Sequence, residues 1–219
     1  MLIQYYGDYC FKITTKPGGR ATDDVTLLAD PLPKGAGLRS PQGEADIVLL
    51  THGNVEEAKE GLKGAPAVFD CPGEYAAKGI SLLGIESFAD TRSGELAGPN
   101  TVFAFETEDI HCAFLGALGH DLSPEALDRL GTVDVLFIPI GEEGSLSAEH
   151  AAALVKNIEP NVVIPMHYAL PGLTLPAGSG KKFFELLGSQ PSEKTIKWNI
   201  KKKDIEGKKM EIVMFERGS

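Results

Sequence analysis

The sequence predicts an α/β fold in which two sheets pack face to face with helices outside. Three observations carry this. The first half is a series of short apolar runs separated by Gly, Pro and Asp, whereas the second half alternates strand-like and helix-like patterns. The run Val48-Leu49-Leu50 breaks at Thr51-His52-Gly53 and gives way to a helical pattern, the signature of a strand feeding a loop and a helix. With 219 residues and 42% hydrophobic content, the chain can bury a real core and fits one large domain, residues 1–219, or two small ones.

Taken in order, Leu2 to Tyr6 and Cys10 to Thr14 read as strands across a turn at Gly7-Asp8, and Pro17-Gly18-Gly19-Arg20 reads as a turn. Val25 to Asp30 is a third strand, stopped by Pro31 and Pro33, and a Gly/Pro-rich loop follows to Gly43. Asp46 to Leu50 leads to His52, and Val55 to Leu62 is a helix with Asn54 as N-cap. Ala67 to Phe69 is a strand, Cys71-Pro72-Gly73-Glu74 a turn, Ile80 to Ile85 a strand, and Asp90 to Asn100 an exposed loop. Thr101 to Glu106 and Ile110 to Leu115 form a hairpin around Thr107-Glu108-Asp109. Ser123-Pro124 opens a helix, with Ser as cap and Pro at the first helical position. Val133 to Ile138 is a buried strand, Ser147 to Ile158 a helix, and Asn161 to Pro165 a strand with His167 just beyond it. A helix over Lys181 to Leu187 and strands near Lys194 to Ile200 and Lys209 to Phe215 complete the pattern.

The formal charge of −10 argues against nucleic acid and anionic membrane surfaces, which call for basic patches. No run approaches the roughly 20 apolar residues of a membrane span. The first residues lack a basic segment followed by an apolar one, so no signal peptide is expected and the cytoplasm is the default. Cys10, Cys71 and Cys112 are widely spaced and predict reduced, structural thiols rather than a zinc knuckle. A small-molecule ligand and a homo-oligomer both remain compatible with this composition.

The stretches Tyr6-Gly7-Asp8-Tyr9-Cys10-Phe11, Ala29-Asp30-Pro31, Asp46 to Gly53, Pro72-Gly73-Glu74-Tyr75, Asn100 to Phe103, Leu115 to His120, Asp134 to Gly141 and Val163 to Tyr168 together resemble the metallo-β-lactamase superfamily. The likeness is greatest to its branch of small bacterial metal-dependent hydrolases, similar to ascorbate-6-phosphate lactonase. It runs in family order through about three quarters of the chain. The resemblance implies a four-layer αββα sandwich with its site along one edge.

It also implies a ligand set, and here the chain departs from the family. The family's His-x-His-x-Asp-His binds two zinc ions that activate a water between them. The matching positions read His52, Asn54, Glu56 and Glu57. A third family His falls on Ala89, and the Asp that bridges the two cations falls on Ala117. The His of the usual Gly-His-Ser-Cys-Phe stretch is Asp8, while His120 and His167 remain. The expected metal candidates are therefore His52, His120 and His167, with Glu56 a weaker one. Asp8, Asn54, Glu57 and Glu74 are further cleft candidates.

Each candidate also has a plain structural reading. His52 and His167 could be loop histidines, and His120 could cap the helix at Ser123. Glu56 and Glu57 suit the acidic first turn of a helix. Asp8 suits a turn, Glu74 could stabilise one, and Asp30 before Pro31 could anchor a loop by hydrogen bonds. His111 and His150 fit ordinary strand and helix positions. The expectation is a hydrolase-like protein whose metal site is degenerate, with no cofactor or one divalent metal, zinc or manganese. The alternative is an active hydrolase of lactone or phosphoester bonds with one cation on His52, His120 and His167.

Overall fold

Alternation of buried and half-buried residues builds the amino-terminal strands β1 (Leu2–Gly7) and β2 (Cys10–Thr15), and β3 (Val25–Ala29) follows. The computed structural model describes residues 1–18, 23–142 and 144–216. Gly19 and Arg20 of the expected turn lie outside these. The chain continues through β4 (Gly43–Glu44), β5 (Ile47–Leu49), α1 (Val55–Ala58), β6 (Leu62–Lys63), β7 (Ala67–Phe69), β8 (Gly73–Ala77), β9 (Ile80–Phe88), β10 (Pro99–Thr107) and β11 (Ile110–Phe114). The second half runs α2 (Pro124–Leu130), β12 (Val135–Pro139), α3 (Ala148–Ile158), β13 (Val162–Met166), α4 (Lys181–Leu187), β14 (Glu193–Thr195), β15 (Lys197–Asn199), α5 (Lys202–Ile205) and β16 (Glu211–Phe215).

One sheet has the order β15-β1-β2-β3-β5-β7 and the other β14-β16-β13-β12-β11-β10-β9-β8. Both are mixed. In the first, β3, β5 and β7 are parallel; in the second, β11, β12, β13 and β16 are parallel. Two-residue turns close the hairpins. Lys78-Gly79 joins β8 to β9 and Glu108-Asp109 joins β10 to β11, with both residues of each pair at positive φ, the twist that hairpins favour. The inner faces meet in one core. Phe11 of the first sheet packs edge-on against Phe114, Phe137 and Phe215 of the second, with ring centroids 6.2, 5.0 and 5.9 Å away.

The two outer layers differ. The second sheet is covered by helices, with α3 against β12 and α4, and α2 beside β9. Ser123 Oγ accepts the Ala126 N–H at 3.2 Å, the expected cap of α2, and Ser147 Oγ accepts the His150 N–H at 3.3 Å, capping α3. The outer face of the first sheet (Cys10, Leu28, Val48) is covered chiefly by the 31–45 loop through Leu32, Ala36, Leu38 and Ala45.

Three boundaries depart from expectation. The helix predicted to reach Leu62 stops at Ala58, because Gly61 takes a φ of 77° and the chain turns into β6. Glu74 lies within strand β8, opposite Leu83, rather than in a turn. The strand predicted over Lys194 to Ile200 divides at exposed Ile196. Its first part pairs with β16 in one sheet and its second with β1 in the other.

Candidate functional site

The ends of both sheets interlock at one edge. Thr101 N–H donates to the Thr51 carbonyl at 2.9 Å, tying the start of β10 to the end of β5. His167 N–H donates to the Asp8 carbonyl at 2.7 Å, tying the end of β13 to the turn between β1 and β2. Asp8, Asp30 and His167 have φ of 55°, 40° and 51°. Left-handed backbone costs a non-glycine residue on the order of 1 kcal/mol or more, and three such residues at one edge mark a place the fold holds under constraint.

Two carboxylate–imidazole pairs face each other across Tyr9. His167 Nδ1 lies 2.5 Å from Asp8 Oδ1, with both side chains buried. His52 Nδ1 lies 2.9 Å from Thr51 Oγ1, which in turn lies 2.6 Å from Asp30 Oδ2. The Tyr9 ring stacks on His167 with centroids 4.5 Å apart and 7° between the planes, and meets His52 edge-on at 5.1 Å. Tyr9 is itself buried. Burial, reinforced by the Asp8 and Asp30 carboxylates, pushes its phenol well up, so the ring is neutral. Asp30 is buried and its carboxyl is pushed up from 3.8 to about 6, chiefly by burial, with His52 and the two Thr51 hydrogen bonds opposing.

Small residues let these loops come together. A Cβ at Gly116 would stand 2.2 Å from Thr51 Oγ1, at a φ of 58°. A Cβ at Gly119 would stand 2.4 Å from the Ala89 carbonyl carbon, and one at Gly141 would stand 1.9 Å from the His167 carbonyl oxygen. Asn100 braces the 115–117 segment: its Nδ2 donates to the Leu115 carbonyl and its Oδ1 accepts the Ala117 N–H, both at 3.0 Å.

The structure thus brings His52, His167 and Asp8 together around Tyr9. It does not bring the others. His120 Nε2 accepts the Phe88 N–H at 3.0 Å, which places the ring proton on Nδ1, donated to the Asp121 carbonyl at 2.7 Å. Both of its nitrogens are engaged by backbone, so as placed it offers no lone pair to a cation. Asn54 caps α1, its Oδ1 accepting the Glu56 and Glu57 N–H groups at 2.9 and 3.2 Å. The Glu56 side chain is 86% exposed. Glu57 Oε1 accepts the Lys34 N–H at 2.8 Å and latches the 31–45 loop. Glu74 is exposed on β8, at the far end of the second sheet. Ala89 and Ala117 are buried methyl groups. Among the described residues, no three His, Cys, Asp or Glu side chains gather as a group that could hold a metal ion. Tyr9 and Thr51 were not among the sequence candidates. Tyr9 lies in the turn between β1 and β2 and shows its place only once His167, past the end of β13, is beside it, whereas Thr51, polar directly after an apolar strand and before His52, carried a readable signal.

A family model for the beta-lactamase superfamily domain matches residues 2–167, from β1 to the last site residue. The chain belongs to the beta-lactamase superfamily. A UPF0173 metal-dependent hydrolase of Listeria monocytogenes is 26% identical over 201 residues, covering 77% of this chain and 85% of the relative. A UPF0173 protein of Pyrococcus abyssi is 29% identical over 192 residues, covering 78% and 85%. The structure of a proposed Zn-dependent hydrolase of the metallo-β-lactamase superfamily from Thermotoga maritima superposes with a TM-score of 0.77 at 28% identity, covering 98% of each chain. This superfamily chain therefore has the αββα sandwich of metal-dependent hydrolases. Among its described residues, no helix is long and apolar enough to cross a membrane.

Proposed function

We propose that this chain is a hydrolase-fold protein without the dinuclear zinc centre, which binds a small-molecule ligand at the sheet edge where His52 is part-exposed and has lost hydrolysis. The observation that carries this reading is the pair of buried methyl groups at Ala89 and Ala117, the positions that the resemblance gives to an imidazole and to the shared carboxylate. The remaining donors support it. Both His120 nitrogens are used by backbone, Asn54 is used as a cap, and Glu56 faces solvent. A catalytic zinc takes about three protein ligands, mainly nitrogen or sulfur, and these residues do not fit a pair of them.

The test is the metal content of protein purified without chelator and again after incubation with zinc or manganese, alongside hydrolysis of lactone and phosphodiester substrates. The expected result is a ratio well below one cation per chain and no rate above the uncatalysed background. Two tightly held cations, or a hydrolysis that His52→Ala abolishes, would overturn the proposal.

One observation favours a second reading, an active hydrolase with a single divalent cation. His52 and His167 each have the Nδ1 side met by a hydroxyl or carboxylate, the arrangement that orients metal-ligating imidazoles. His120 would have to release the Phe88 N–H to join them. One cation per chain, with hydrolysis sensitive to His52→Ala, is the outcome that reading requires.

A further inference from the structure

A threonine hydroxyl stands between a buried carboxylate and a part-exposed imidazole, and its single proton decides the state of that imidazole. Thr51 N–H donates to Asp30 Oδ1 at 2.7 Å. Thr51 Oγ1 lies 2.6 Å from Asp30 Oδ2 and 2.9 Å from His52 Nδ1. An ionised carboxylate can only accept, so the Thr51 proton goes to Oδ2 and the hydroxyl oxygen is left as an acceptor. The proton on the Thr51–His52 contact must then come from Nδ1. A neutral imidazole carries one N–H, so Nε2 keeps its lone pair. Direct pairing does not compete, because Nδ1 and Asp30 Oδ2 are 3.8 Å apart.

We infer that Asp30 and Thr51 are positioning residues that lock His52 in the Nδ1–H tautomer and keep its Nε2 as a lone-pair donor for whatever group meets it. A group meeting Nε2 is then a cation or a hydrogen-bond donor such as a hydroxyl or an ammonium, and not a carbonyl or phosphate oxygen. The His52 side chain is 34% exposed against 6% for His167, so it is the imidazole of this pair that solvent and ligand can reach. The inference does not depend on whether a cation or an organic ligand meets Nε2.

The geometry makes a sharper demand on Asp30→Asn. Asparagine tolerates the φ of 40° as aspartate does. The Thr51 N–H fixes its amide, because only the carbonyl oxygen can face that donor. The amide N–H then faces Thr51 Oγ1, the Thr51 hydroxyl donates to His52 Nδ1, and the ring proton moves to Nε2. An uncharged, nearly isosteric change should therefore invert the tautomer.

Long-range ¹H–¹⁵N spectra of ¹⁵N-labelled full-length protein at about pH 8, where Asp30 is ionised, read this directly. The wild type should show a protonated Nδ1 and an unprotonated Nε2 at His52. Thr51→Ser should keep that pattern, Thr51→Val should lose it, and Asp30→Asn should reverse it, with amide spectra confirming that each variant is folded. A wild-type His52 protonated at Nε2, or a folded Asp30→Asn whose tautomer is unchanged, would overturn the inference.

Discussion

Asp30 shows how one buried carboxyl can serve geometry at a cost in stability. Its two oxygens accept the Thr51 N–H and hydroxyl, but burial raises its pKa from 3.8 to about 6. The folded chain therefore holds this proton more tightly than the unfolded chain does. The contribution to stability is fully present below about pH 4 and is lost as pH rises through about 6, the reverse of an ordinary salt-bridged aspartate. Asp30→Asn removes the titration. Relative to wild type, the variant should gain about 3 kcal/mol between those two pH values, whatever constant offset the substitution adds. Urea unfolding of both proteins across the range measures it, and parallel curves would show that Asp30 does not titrate there. The aspartate was legible in the sequence as a loop anchor ahead of Pro31, because a polar residue between an apolar run and a proline has few other uses. What was not legible was its reach to Thr51, which is 21 residues on and becomes a neighbour only when β3 and β5 pair.

Among the elements, those with long alternating or capped patterns were readable, and those made of small or polar residues were not. The Ser123 and Ser147 caps and the Glu108-Asp109 hairpin follow from local chemistry that tertiary contacts do not override. Strand β8 was hidden because Gly73, Ala76 and Ala77 supply no β-branched or aromatic signal, and Tyr75 alone does not make a period. The loop after β9 has a device of its own. The Asp90 carboxylate accepts the N–H groups of Arg92, Gly94, Leu96 and Ala97 at 2.7 to 3.0 Å. The Ala97 N–H is the main cause holding its carboxyl down, at about 2. This clip follows Ala89 directly, so it organises the segment where the family resemblance expects a metal-binding histidine. Asp90→Ala should leave the sandwich intact and make those four amides exchange about tenfold faster or more. Native-state hydrogen exchange reads this amide by amide. Unchanged protection would mean that the loop is held by its own backbone turns.

At the scale of the whole molecule, the fold class was legible and the allotment of strands to sheets was not. Period-two alternation says that a strand has a buried face but not which sheet it joins. The Lys194 to Ile200 run alternates polar and apolar from Thr195 to Ile200, yet it leaves one sheet at Ile196 and enters the other, a choice made by the partners β16 and β1 rather than by its own residues. The same limit applies to the site, where the sequence marked His52 and His167 as lying past strand ends but could not show them meeting on Tyr9. The contact that joins the sheets is therefore the most informative place to perturb. Phe11 is fully buried and reaches three aromatic rings of the opposite sheet, so Phe11→Ala removes contacts on both sides at once. Deletion of a buried aromatic ring costs about 3–5 kcal/mol, a large share of the roughly 5–15 kcal/mol that holds a domain folded. Ile196 is equally apolar but 54% exposed at the crossing between sheets, so Ile196→Ala should change stability by no more than about 0.5–1 kcal/mol. Denaturant midpoints for the two variants give the contrast directly. Similar losses in both would mean that the crossing, not the aromatic contact, couples the two sheets.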